Sequence, residues 1–358
     1  MSDMLMAATR KGLFTLERQG SEWTLRRKSF LGDPVSLAVH DPHSNRLYAA
    51  LKLGHFGVKL HVSDDAGETW RETACPAFPK SEDKDAPSVL EIWALEFGKQ
   101  SGSIWAGTIG GGLFRSNDAG ESWELVESLW NHPERQRWFG GGNDAPGIHS
   151  ICIDPRDPRH LTLAVSCGGV WQSRDDGATW QPTSKGMRAE YMPPERAEDP
   201  AVQDPHRLVQ CRAAPDHLWV QHHNGVFRSG DGAQTWQEVK AIKPSKFGFC
   251  VAVHPDDPDR AWFVPAVKDE CRIPVDGAVV VARTTDGGKT FDVLRKGLPQ
   301  QHAYDLVLRH ALAIDRAGNW LAIGSTSGHL WLSGNQGEAW QLAAGHLPPI
   351  YALRFAHL

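Results

Sequence analysis

One octapeptide, returning along the whole chain, constrains this sequence more than any other feature. It reads Ser63-Asp64-Asp65-Ala66-Gly67-Glu68-Thr69-Trp70 and recurs as Ser116 to Trp123 and Ser173 to Trp180. Weaker copies end at Trp236, Phe291 and Trp340, and a worn seventh, Leu16 to Trp23, keeps Gly20 and Trp23. Successive final aromatics lie 47 to 57 residues apart, so seven units use up all 358 residues and leave no room for a second domain. A fixed period of this length is the signature of a repeat architecture. The 15 Trp against 4 Tyr follow from it, because a Trp-bearing element is repeated.

Each unit carries four short apolar runs. The first ends in an Asp-Pro-like turn (Asp41-Pro42, Asp154-Pro155, His254-Pro255), the third leads into the octapeptide, and the residues after its Trp supply the fourth. Four strands per period describe a propeller blade. In the octapeptide the Asp accepts from backbone N–H groups of a tight turn. The Gly permits a positive φ, and the Trp inserts an aromatic plate between sheets. The run Met4 to Thr9 matches second strands and Ile350 to Phe355 matches first strands. The sequence therefore predicts an all-β, seven-bladed propeller over residues 1–358, closed by pairing of the C-terminal strand with the N-terminal one and hiding the sheet edge.

Composition excludes several function classes. A net charge of −5 argues against a general nucleic-acid binder. No apolar run approaches the roughly 18 residues needed to span a bilayer, and the first residues lack the order of a signal peptide. Cys75, Cys152, Cys167, Cys211, Cys250 and Cys271 form no CxxC pair and no zinc spacing. Free thiols, a cytoplasmic location and no membrane partner are the expectations.

The octapeptides resemble the Asp-box, or bacterial neuraminidase repeat, of sialidases, two-propeller xyloglucanases, sortilin-type receptors and photosystem II assembly factors. The resemblance spans the chain and implies the fold, while the relatives include both enzymes and protein-binding scaffolds. A sialidase is not implied. The only stretch like that family's Arg-Ile-Pro signature is Cys271-Arg272-Ile273-Pro274, which lacks the aromatic and sits before the sixth octapeptide. The xyloglucanase-like enzymes use a cleft between two propellers, and this chain has the repeats for one.

Functional residues are expected on the face away from the octapeptides, where long loops carry their own charged and aromatic content. His149, His222, His310 and Glu91 offer the ligand types of a divalent metal. Alternatively His149 or His310 is a general base, with Tyr304 or Tyr351 as acid and Glu91 as a further catalytic candidate. Arg10, Lys52, His55, Trp138, Asn143, His222, His223 and Lys268 are candidate substrate contacts, and Trp93 and Trp130 candidate sugar-stacking rings. The two function hypotheses are a glycosyl hydrolase-like hydrolase or lyase acting on a carbohydrate-like or anionic small molecule, and a non-catalytic scaffold with a protein partner.

Overall fold

The computed structural model describes residues 4–83, 86–141 and 144–356. It divides into two compact units. The first comprises residues 1–38 and 206–358, the second residues 39–205. Among the described residues are 28 strands, in five four-stranded sheets and one eight-stranded sheet that holds two sets of four. Strand order within a set follows chain order, antiparallel throughout. The exception is the set whose first strand is Ile350–Ala356, paired in antiparallel register with Met4–Thr9.

Six of the seven octapeptides make the same turn between third and fourth strands. In the copy at 116–123, Ser116 Oγ donates to Asp118 Oδ1 at 2.8 Å and accepts from Gly120 N at 2.8 Å. Asp118 in turn accepts from Ser122 N at 2.9 Å and from the Ser122 hydroxyl at 2.5 Å. Asp65, Asp175, Asp231 and Asp286 repeat the pattern, and Asn335 reproduces part of it for Ala339 N. The fifth position turns left-handed, at φ 84° for Gly120; in the fourth copy Ala233 holds that place at φ 63°. The seventh copy is different. Gly20 and Ser21 form a two-residue hairpin between Gly12–Gln19 and Glu22–Ser29, with Gln19 opposite Glu22 and Trp23 inside the second strand.

Neighbouring sheets are joined through these turns. In the second unit Tyr48 Oη donates to Ala119 O at 2.9 Å and Trp123 Nε1 to Ala74 O at 3.0 Å. Arg115 lies 4.8 Å from the Trp105 ring and donates to Asp176 at 2.6 Å. In the first unit Trp262 Nε1 donates to Gln336 O at 3.0 Å, and Arg283 bridges to Glu338 at 2.7 Å. Trp105, Trp219 and Trp262 are 2% exposed or less, each removing on the order of 200 Å² from water. These second-strand aromatics are a repeat beyond the octapeptide Trp.

The first strands of three sets break register near the end away from the octapeptides: between Ile92 and Ala94, Ile148 and Ser150, and Gly248 and Val251. Each break is an extra residue that re-aims a side chain. In the second unit those residues are Trp93 and His149, whose rings meet edge-on at 5.5 Å. We call this end of every sheet the loop end, and the octapeptide end the turn end.

The turn Asp residues make acid stability predictable. Side-chain and backbone donors of Thr69, Ser122, Thr179 and Thr290 hold Asp65, Asp118, Asp175 and Asp286 down at about 2, against 3.8 without those partners. A depressed carboxyl stabilises the fold above its unfolded value and loses that contribution as pH falls through its folded one. The melting temperature should therefore drop between about pH 4 and pH 2. In Asp118→Asn/Asp175→Asn the drop should be shallower and the pH 7 melting point lower. Equal pH profiles in thermal melts would contradict this.

Candidate functional site

Exposed large apolar side chains are concentrated at the loop ends. Of the nine among the described residues, Leu31, Phe56, Leu90, Phe139, Tyr191, Val267 and Tyr304 lie in loop-end connections, while Leu25 and Leu342 sit on the fourth strands of their sets. The turn-end cavities, of about 270 Å³ each, are lined by octapeptide and neighbouring turn residues such as Asp231, Thr235 and Asp64, whose polar groups already serve the fold.

A cavity with a largely apolar lining lies at the loop end of the second unit. It holds about 310 Å³ and is lined by Val58, Cys75, Pro76, Phe78, Pro87 and Val89. Neither Lys52 nor Glu91 lines the cavity, but Lys52 stands opposite the lining Val58 in the ladder, Glu91 follows the lining Val89 by two residues, and the two form an ion pair 3.0 Å long. Glu91 is only 15% exposed. Cys75 is no nucleophile here, because burial pushes its thiol up to about 12.

Phe78 extends the cavity into an aromatic corner. Its ring is 4.6 Å from Trp130 and 5.3 Å from Phe114. The Arg135 guanidinium lies 3.3 Å from the centre of the Trp130 ring and 5.6 Å from that of Trp138, which is 7% exposed and packs edge-on against Trp171. Gly110, Gly111 and Gly112 leave room for this. A Cβ on Gly112 would sit 2.8 Å from Phe78, and one on Gly111 3.4 Å from an Arg135 nitrogen. Burial lowers Arg135 to about 10, with no carboxylate to offset it. Phe78 and Arg135 escaped the sequence reading. The only local signals are the run Pro76-Ala77-Phe78-Pro79 and the place of Arg135 in the loop already singled out.

The other expected residues are placed as follows. His149 is fully buried. Nε2 bonds Pro205 O at 2.7 Å and Nδ1 bonds Ser150 Oγ at 2.9 Å, so both ring nitrogens serve the fold. Since a carbonyl only accepts, Nε2 carries the proton. His55 is exposed against Phe56, with rings 3.9 Å apart, and Asn143 lies outside the described residues. In the first unit His222 is fully buried, accepting from Asn224 N at Nδ1. His310 is 3% exposed and bridges to Ala352 through the backbone. His223 packs 5.4 Å from His206, which stacks on Phe249 at 4.6 Å, with Arg272 and Arg309 each 5.3 Å from that ring. Arg10 and Tyr304 are exposed, Tyr304 by 64%, and Lys268 pairs with Glu270 at 3.5 Å. Among the described residues, no group of three metal-ligating side chains within either unit includes His149, His222, His310 or Glu91. A pair missed in the sequence is Asp305, which accepts from Ser325 Oγ and from His329 Nδ1, both at 2.7 Å.

No family model matches the chain. Among curated proteins it is similar to a xyloglucanase from a Paenibacillus species, 27% identical over 67% of this chain and 24% of that protein. It is also similar to a probable oligoxyloglucan-reducing end-specific xyloglucanase of Neosartorya fischeri, 24% identical over 85% of this chain and 38% of that protein. The chain thus spans well under half the length of either relative. Among solved structures, the GH74 xyloglucanase from Xanthomonas campestris superposes with a TM-score of 0.66 at 16% identity, covering 96% of this chain and 53% of that one. YCF48 from Cyanidioschyzon merolae superposes with a TM-score of 0.55 at 13% identity, covering 93% and 96%. At such identities the likeness shows the fold alone, and that fold is a β-propeller. No helix among the described residues is long and apolar enough to cross a membrane.

If His149 is structural, His149→Phe, which leaves Pro205 O without its buried donor, should lower stability by about 1–3 kcal/mol in urea titrations. Binding of ligands at the loop end of the second unit should be unchanged. Loss of binding with unchanged stability would return His149 to the site.

Proposed function

We propose that the seven sets of strands are the blades of one seven-bladed Asp-box propeller, closed by the pairing of Ile350–Ala356 with Met4–Thr9, and that the protein is a hydrolase acting on an oligosaccharide. The observation that carries the functional reading is the aromatic corner of Phe78 and Trp130 beside a 310 Å³ cavity, in a chain whose curated relatives are xyloglucanases. Sugars present flat apolar faces and a rim of hydroxyls. A concave site of aromatic and proline carbons, edged by a few polar groups, suits both.

Glycoside hydrolysis runs on carboxyl groups, one acting as acid and another as base or nucleophile. Glu91, held by Lys52 two residues beyond the cavity-lining Val89, is the carboxylate we assign to this chemistry. The scaffold reading draws on one observation, that YCF48 and this chain cover nearly all of each other while the xyloglucanases are much longer.

A xyloglucan-derived oligosaccharide should bind in calorimetry, and Phe78→Ala should weaken it about tenfold or more, since fully burying a Phe contributes about 1.5–3 kcal/mol. Glu91→Gln should leave binding intact and lower reducing-end release by about 100-fold or more, the range of one general acid–base group. Turnover unchanged in Glu91→Gln would overturn the assignment of that residue. Failure of every oligosaccharide to bind would overturn the carbohydrate reading and leave the scaffold.

A further inference from the structure

Arg135 is the feature at the site that the fold alone leaves unexplained. It is a cation taken partly out of water, stacked on Trp130, and its Nε is buried with no acceptor among the described residues. No ion pair or side-chain hydrogen bond engages its other nitrogens among those residues either. Its charged neighbours are already matched. Glu134 pairs with Arg137 at 2.6 Å, and Asp199 pairs with Arg137 and, at 3.9 Å, with Arg196. Those acids are taken up by Arg137 and Arg196, and Arg135 has no carboxylate partner among the described residues.

Stacking accounts for the plane of the guanidinium, not for its edge. A cation over an indole face is held by the negative potential of the ring, the more so when desolvated. It keeps its in-plane N–H fork, which matches a carboxylate in bidentate geometry. Placing that fork in an aromatic frame strengthens the pair, because the rings exclude water that otherwise competes for the donors. An aromatic corner for a sugar ring and a planar donor fork beside it are complementary to a sugar that carries a carboxylate.

We propose that Arg135 binds the carboxylate of an acidic sugar, so that the oligosaccharide taken by this site contains uronic acid residues. This rests on the carbohydrate reading above and narrows it. Arg135 is a specificity-determining residue here, while Glu91 retains the role already given to it.

The test uses the full chain, with saturated oligogalacturonate as the acidic probe and a xyloglucan oligosaccharide of similar length as the neutral one. Binding is read by calorimetry and by the quenching of Trp fluorescence. Wild type should bind the acidic probe at least tenfold more tightly, with an affinity that falls as salt is raised. Arg135→Gln should lose that preference, its affinity for the acidic probe falling to that for the neutral one. Arg135→Lys, which keeps the charge and loses the fork, should fall between and serves if the Gln variant does not fold. Equal wild-type affinity for both probes, or an undiminished preference in both variants, would overturn the proposal while leaving the carbohydrate reading standing. Equal binding of polyaspartate would also overturn it, by showing recognition of charge alone. No binding of either oligosaccharide would remove both readings together.

Discussion

The rest of the structure depends on one hydrogen-bonded turn. A single carboxylate accepts from a backbone N–H and a hydroxyl four residues ahead, while a Ser or Thr hydroxyl ties it to the glycine between. The turn locks the third strand to the fourth with almost no buried volume, and it fixes where the next residues point. Its backbone carbonyls then become acceptors for aromatic donors on the neighbouring sheet. Tyr48 reaches Ala119 O, and Trp262 reaches Gln336 O. A local turn thereby sets the spacing between sheets, and Arg115 and Arg228, each stacked on the Trp opposite it in its own sheet, add to it by donating to Asp176 and to Gly287 O of the next turn.

This division of labour decides where chemistry can sit. At the turn end the polar groups are committed to one another, so substitution there acts on stability. At the loop end the connections vary in length and content, and register breaks at Trp93 and His149 free side chains from the regular alternation of the strand. The loop between Trp123 and Gly147 carries a short helix, Glu127–Trp130, and a 3₁₀ turn, Pro133–Arg137, whose packing delivers Trp130, Arg135 and Trp138 to one corner. The glycine turn Gly110–Gly112 approaches that corner too closely for side chains of its own.

Much of the fold was legible because the turn is local. Ser, Asp, Gly and Trp at fixed offsets announce it, and six of the copies, from Ser63–Trp70 to Ser333–Trp340, make it. The worn copy at Leu16–Trp23 misleads for a physical reason. Without the Asp, Gly20 and Ser21 suffice for a two-residue hairpin, and Trp23 moves into the following strand. The second-strand aromatics were not legible, since Trp105, Trp219 and Trp262 share no local motif and matter only through the adjacent sheet. The site was less legible still. Sequence marks His149, His222 and His310 as reactive types, but burial and pairing decide their roles, and His149 has both ring nitrogens bonded. Conversely Arg135 looks like one more surface charge until Trp130 and Trp138 are seen on either side of it.

The central claim is that the turn end builds the protein and the loop end of the second unit acts on the ligand. Amide hydrogen exchange with and without a saturating oligosaccharide tests it most directly, because one experiment reports on both ends. The account predicts added protection in the segments around Phe78, Gly110–Gly112 and Trp130–Trp138, with exchange unchanged in the six octapeptide turns. Protection confined to the octapeptide turns, or to neither end, would contradict it.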